Sequence, residues 1–343
     1  MPRPCDESAL AVAADLLVRD FMCVRPGEQV LITADTATDT AAIHALLNAA
    51  RVQGAKAGVF VTPQLPFQGS LADPHISEPL AAAVKSCDVW LDCTFPYMGG
   101  SHAHDEAMKT KRVRSLLVAD LGAAGIQRLF GGVNFDRLFA LQEALDALVT
   151  SAQGKQCRVT CASGTDVRFT IGKTVTKKLR KTDQPGTYTP PGSAVIYPDI
   201  ETVKGDLVVH GAFHEYMERL VEPFRLKVDG RVREISGGAG SRSVMERALR
   251  RAGGGEFGSV IHFSIGFHPA ARLTGESFME DIRVKGNNAV GLGIPWWLPG
   301  GGENHPDAVV LSQSMSIDGK PVVRDGVLVG PENIVRLEQA LAS

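Results

Sequence analysis

The chain has no apolar run of the roughly 20 residues that a bilayer span requires. It also lacks an excess of charge of either sign. Its 36 basic and 38 acidic residues leave a formal net charge of −2, so no broad attraction to nucleic acid or an anionic membrane is implied. The first ten residues, MPRPCDESAL, have no apolar core of the kind a signal peptide carries, and a cytoplasmic protein is the expectation. None of the six cysteines (Cys5, Cys23, Cys87, Cys93, Cys157 and Cys161) forms a C-x-x-C pair. They read as small buried thiols in a reducing compartment. The glycine runs at 237–240, 253–255 and 300–302 do not follow a strand and open a helix, so the dinucleotide fingerprint is absent and NAD binding is excluded. No clear internal repeat is present.

What is there is an ordinary globular composition, 44% hydrophobic and 22% charged over 343 residues, long enough for two domains. Up to about residue 150, helical and strand patterns alternate. Helical spacing marks 7–22, 38–55, 77–87, 104–112 and 135–152, and strand patterns mark 26–33, 56–62, 88–94 and 113–120. That alternation predicts a parallel sheet covered on both faces. The character changes near Gly154. Residues 155–172 read as two strands joined by Ser-Gly-Thr-Asp, a hairpin signal. Strand-like runs then dominate, interrupted by one helix at 241–252. The stretch 172–192 reads as a Pro/Gly-rich loop with a basic, solvated face. The predicted fold is therefore α/β plus α+β: an N-terminal α/β domain, 1–153, and a mixed, antiparallel-rich domain, 154–343.

Among the nine histidines, His44 and His75 read as structural or exposed, and His210 and His214 as ligands only if they share a face. His262 differs. In VIHFSIGF, Ile261, Phe263 and Ile265 alternate with His262, Ser264 and Gly266, so one strand face is greasy and the other small or polar. His268 at the strand exit competes with it. In NHPDAVV, His305 and Asp307 stand two apart, so they share a face if extended. Pro306 favours extended geometry at His305 and marks a sheet edge or a strand start. Two imidazoles and one carboxylate form a set that suits Fe(II) with open positions, and zinc also takes such ligands. SHAHDE (101–106) follows a predicted strand of the parallel sheet, where ligands gather. His102 or His104 there is a candidate general base. Trp296 and Trp297 offer a ring-stacking wall or lid, or core packing.

IHFSIGFHPAARLTG, then GNNAVGLG, then a glycine turn and NHPDAVV resemble the M29 family of thermophilic-type aminopeptidases, as do PGEQVLIT and SCDVWLDCT in the first half. The peptidases of that family hold two metals. Their pattern has a glutamate where this chain has His262 and a histidine near Ala289, where this chain reads NNAVG. The sequence is more similar to a second branch, the 2,5-dihydroxypyridine 5,6-dioxygenases, which share the fold. That resemblance implies one Fe(II) on His262, His305 and Asp307, and His102 or His104 as the base toward the ring hydroxyl. It further implies a small aromatic substrate, O2 as co-substrate and a homo-oligomer, with Tyr188, Trp296 and Trp297 shaping the pocket. The alternatives are a zinc or cobalt aminopeptidase or amidohydrolase built on the same residues, and a metal-free binding protein.

Overall fold

A computed structural model of the chain describes residues 6–175, 182–214, 217–299, 301 and 305–342. The chain divides into two compact units, one of Met1–Val133 with Lys178–Pro190, the other of Asn134–Lys177 with Pro191–Ser343. This division departs from a cut at 153/154 in two places. The helix that starts at Phe135 belongs to the second unit, and residues 178–190 return to the first. Most of the basic stretch between 173 and 181 lies outside the described residues.

The first unit is a parallel sheet with helices. Its first four strands are Gln29–Asp35 (β1), Lys56–Thr62 (β2), Val89–Cys93 (β3) and Arg114–Leu117 (β4), and a fifth strand, Gly186–Tyr188, pairs in parallel with β4. The order is β2-β1-β3-β4 and then that returning strand. All five residues of β3 are buried, as expected of a central strand covered on both faces. The helices are Glu7–Asp15 (α1), Thr40–Val52 (α2), Glu78–Ser86 (α3), His102–Lys109 (α4) and Ala123–Phe130 (α5). Side chains cap four of them: Asp6, Asp39, Ser77 and Ser101 each accept from a backbone N–H of the first turn. Asp39 does so twice, taking Ala41 N with one oxygen and Ala123 N, at the start of α5, with the other. Trp90 of β3 packs with Leu80, Val84, Met98 and Ala107 to form the core under α3 and α4.

The second unit is one large sheet in which every pairing is antiparallel. Its strands begin with the hairpin Gln156–Thr160 (β5) and Asp166–Thr170 (β6). With Gly186–Tyr188 numbered β7, there follow Ser193–Ile196 (β8), Lys204–Phe213 (β9), Met217–Asp229 (β10), Arg231–Gly237 (β11) and Ser259–Gly266 (β12). Then come Asn288–Gly293 (β13), Asp307–Val310 (β14), Ser314–Ile317 (β15), Lys320–Arg324 (β16) and Val327–Leu328 (β17). The order is β17-β16-β15-β5-β6-β9-β14-β13-β12-β8, with β10 and β11 branching from β9. Three long helices belong to this unit: Phe135–Ser151 (α6), Ala239–Ala252 (α7) and Glu332–Ala342 (α9), with the short Phe278–Asp281 (α8) between them. α6 packs on α9 and β8, and Arg137 donates to the carbonyl of Ala340 at 2.6 Å. Among the described residues, no helix is long and apolar enough to cross a membrane.

A buried polar network fixes the register of β12 on β13. The backbone ladder pairs Val260 with Leu292 and His262 with Gly291, with an irregularity between them. Beyond His262, side chains take over. Asn288 Oδ1 accepts from Ser264 N at 2.7 Å, and Ser264 Oγ accepts from Ala289 N at 2.7 Å. Asn288 Nδ2 donates to Gln313 Oε1 at 2.8 Å, and Gln313 Nε2 donates to the carbonyls of Ser264 and Asn287. All of these groups are buried, so each lost partner costs the desolvation of the group left behind. Asn288→Ala strands Ser264 N–H and Gln313 Oε1. It is expected to destabilise the protein by about 2–4 kcal/mol, read as a lower urea midpoint, whereas substitution of the exposed His44 is expected to leave that midpoint in place.

Candidate metal centre

His262 lies on β12 with the alternation that its sequence shows. Phe263 faces the other way and stacks on Phe169 of β6, with ring centroids 4.3 Å apart and planes 2° apart. The His262 ring thereby projects from the opposite face. β14 begins at Asp307, directly after Pro306, whose carbonyl accepts from Leu292 N at 2.9 Å. The strand start is thus where the sequence puts it, though β14 is interior, between β13 and β9. Of the glycine run ahead of it, only Gly301 is among the described residues.

β12 and the start of β14 bring three donors together across β13. Gly291 of β13 is the Cα partner of His262 on one side and of Asp307 on the other. His305 precedes Asp307 by two residues and points the same way. His262 Nε2 and His305 Nε2 are 3.3 Å apart. Asp307 Oδ1 is 3.5 Å from the first and Asp307 Oδ2 3.5 Å from the second. The carboxylate is 2% exposed and the imidazoles 13% and 14%. Two imidazole nitrogens and a carboxylate converge in a half-buried place, and such a set could hold a metal ion between its members. Donors bound at about 2.0–2.2 Å with angles between about 90° and 110° stand about 3.0–3.5 Å apart. The separations found, 3.3–3.5 Å, fit that spacing, and the three atoms are mutual neighbours, as on one face of a coordination shell. Among the described residues no other group of histidines, cysteines and acids meets this condition.

Aromatic rings stand over the histidines. The Trp296 ring stacks on His305, centroids 5.4 Å apart at 25°, and meets His262 edge-on at 6.4 Å. Trp297 lies edge-to-face on Trp296 at 4.9 Å. Tyr197, just past β8, meets Trp296 and Trp297 edge-on at 5.9 and 5.6 Å. The sequence reading had the tryptophan pair but not Tyr197, which carries no local signal beyond its place at a strand end.

The other candidates have other surroundings. His104 is buried in the first unit. Its Nδ1 accepts from Gly100 N at 3.4 Å and its Nε2 lies 2.8 Å from Thr187 Oγ1. His102 is exposed and lines an open groove of about 400 Å³ with Asp73, Lys85 and Glu106. Tyr188 is 1% exposed, and its hydroxyl donates to the carbonyl of Gln184 at 2.5 Å. It belongs to the first unit. His268 is 1% exposed and its Nδ1 accepts from Ala270 N at 3.2 Å. His210 Nε2 is 2.8 Å from Ser163 Oγ, and His214 Nε2 is 3.6 Å from Glu218, so the two do not form a pair of ligands. The five described cysteines are free. Burial pushes the thiols of Cys87 and Cys157 up to about 12, so they stay protonated and inert at neutral pH.

The sequence profile of the family described as NicX, 2,5-dihydroxypyridine 5,6-dioxygenase, matches residues 19–330. The chain belongs to that family. Family membership makes it an enzyme, a ring-cleaving dioxygenase that takes a small-molecule substrate and O2. Among solved structures, the chain is similar to 2,5-dihydroxypyridine dioxygenase from Pseudomonas putida KT2440, with a TM-score of 0.77 at 19% identity, covering 96% of this chain and 100% of that one. It is also similar to wild-type AmpT from Thermus thermophilus, with a TM-score of 0.63 at 16% identity, covering 94% and 100%. These likenesses show a shared aminopeptidase-like fold. No curated protein sequence matches the chain significantly.

The rings over the histidines give a direct readout of metal entry. Titrating metal-free protein with Co(II) is expected to quench tryptophan emission, because Trp296 lies on His305. Trp296→Phe is expected to bind the metal with similar affinity and lose most of the quench. An unchanged quench in Trp296→Phe would place the metal elsewhere.

Proposed function

We propose that His262, His305 and Asp307 hold one Fe(II), and that the chain opens the ring of a hydroxylated, pyridine-like N-heterocycle, in the manner of 2,5-dihydroxypyridine to N-formylmaleamate. The observation that carries this reading is the convergence of two imidazole nitrogens and one carboxylate on a single point in a member of this family. Two histidines and a carboxylate on one face suit Fe(II) with neighbouring positions left open. Zinc and cobalt accept the same donors, and metal analysis of anaerobically purified protein separates them. When bound, the iron supplies the redox chemistry by which O2 reacts with the ring.

The chain's own residues prepare that reaction. Asp307 brings one negative charge to a dication in a half-buried place, which leaves a net positive charge to attract an ionised ring hydroxyl. Trp296 shields one flank of His305 from water, and the faces of Trp296 and Trp297 offer stacking to a flat ring. For the proton acceptor toward the hydroxyl, the family resemblance offers His102 or His104. His104→Gln is expected to lower kcat by about 10- to 1,000-fold with little change in metal content. A closed, cytoplasmic homo-oligomer completes the proposal, testable by light scattering.

The deciding measurement is O2 consumption by Fe(II)-loaded protein against a panel of hydroxypyridines, beside a leucine-anilide peptidase assay. Uptake of one O2 per ring is expected with 2,5-dihydroxypyridine or a close relative. His305→Ala and Asp307→Ala are each expected to lose that uptake and to bind metal at least about 100-fold more weakly. Uptake with none of the rings would overturn the substrate reading, and anilide hydrolysis in its place would favour a hydrolase.

A further inference from the structure

Gly291 sits mid-strand between two metal ligands, on the only strand that separates them. Glycine is unfavourable in a strand interior, because it loses the most backbone entropy and offers no side chain to pack. Its φ is not in the left-handed region where glycine is otherwise required. The backbone therefore gives no reason for a glycine here. The reason lies across the ladder. A Cβ built on Gly291 would stand 2.4 Å from His262 Nε2, 2.5 Å from its Cδ2 and 3.0 Å from its Cε1. The three nearest atoms all belong to one imidazole and none to the backbone. His262 is the Cα partner of Gly291 on β12, and Asp307 is its partner on β14. The imidazole thus lies flat across the bare backbone of β13 to bring Nε2 within 3.5 Å of a carboxylate two strands away.

We propose that Gly291 is a positioning residue for the metal ligand His262, the gap in β13 through which that ring reaches His305 and Asp307. This rests on the reading of those three residues as a metal centre. A methyl group at 291 forces the ring into another rotamer, which takes Nε2 away from the other two donors and leaves a two-ligand site. Because the collision is with a side chain alone, the sheet itself tolerates the methyl group.

The test is Co(II) binding to metal-free protein by calorimetry and visible absorption, with thermal midpoints of the metal-free forms. Four proteins are compared: wild type, Gly291→Ala, His262→Ala and the double variant. Wild type is expected to bind one Co(II). Gly291→Ala is expected to bind it at least about 100-fold more weakly with an altered Co(II) spectrum. The double variant is expected to match His262→Ala in both affinity and midpoint, since the methyl group then meets nothing. If Gly291→Ala alone folds poorly, the double variant is expected to recover the midpoint of His262→Ala. Wild-type affinity and spectrum in Gly291→Ala would overturn the proposal, as would a double variant less stable or weaker in binding than His262→Ala. Absence of Co(II) binding by wild type would sink the metal-centre reading, and the positioning role with it.

Discussion

The second unit is organised around three side chains, His262, His305 and Asp307, that the sheet brings to one point. Two imidazole nitrogens face each other at 3.3 Å, with a carboxylate oxygen 3.5 Å from each. Taking these polar atoms out of water costs free energy that hydrogen bonds or a bound cation must offset. They meet because the ladder puts them there. β12, β13 and β14 lie side by side, and one row across them reads His262, Gly291, Asp307. The register of that row depends on the Asn288–Gln313–Ser264 network one step along the strands. A shift of one residue would turn His262 to the face where Phe263 now stacks on Phe169, since strand side chains alternate. The stability of the polar network and the geometry of the donor set are thus one problem solved twice.

In the first unit, acids at the strand ends serve structure. Asp92 is fully buried and accepts from Thr33 Oγ1, Thr94 Oγ1 and the backbone N–H groups of Thr94 and Met98. Burial pushes its carboxyl up, and those donors push it back. Asp35 accepts from Ala37 N and Phe95 N. Both carboxylates thereby tie down the loops that leave β1 and β3. Loops at the carboxyl ends of a parallel sheet are where ligands gather, and a loop held by a buried carboxylate keeps its shape. His104 follows the same logic, with both ring nitrogens engaged by the backbone of Gly100 and the hydroxyl of Thr187.

Much of this was legible in the sequence, for identifiable reasons. The helix–strand alternation of residues 7–152 is strong because each element has its own period and most have a side-chain cap. The convergence of His262, His305 and Asp307 was legible because a period of two survives in VIHFSIGF and in HPD. What was missed had no such period. α5 reads AAGIQRLF between glycines, and its first N–H is satisfied from a distance by Asp39. β7 is three residues long in a Pro/Gly-rich stretch and exists by pairing with β4. Tyr188, at the end of that edge strand, is buried with its hydroxyl on the carbonyl of Gln184. The cut at 153/154 followed the change of periodicity, but α6 packs on α9, nearly 200 residues later in the chain, a contact that no local pattern reports.

The donor inventory around the site bears on how many ions it can serve. By strand alternation, the residues that share the face of His262 and Asp307 include Ser264, Ala289, Val309, Phe213 and, on β10, Met217 and Arg219. Ser264 Oγ is taken by Ala289 N, and Phe213 stacks on Phe278 with centroids 4.2 Å apart. None is a carboxylate or an imidazole. A second ion bridged to the first would need further acids or histidines on this face, and among the described residues no second group of donors is present. The apolar neighbours do the opposite work. They keep the dielectric low beside the three donors. A pair of closely spaced ions gathers extra carboxylates to offset four positive charges, and the described residues of this row offer Asp307 alone. The donor inventory of the row therefore matches one ion better than two.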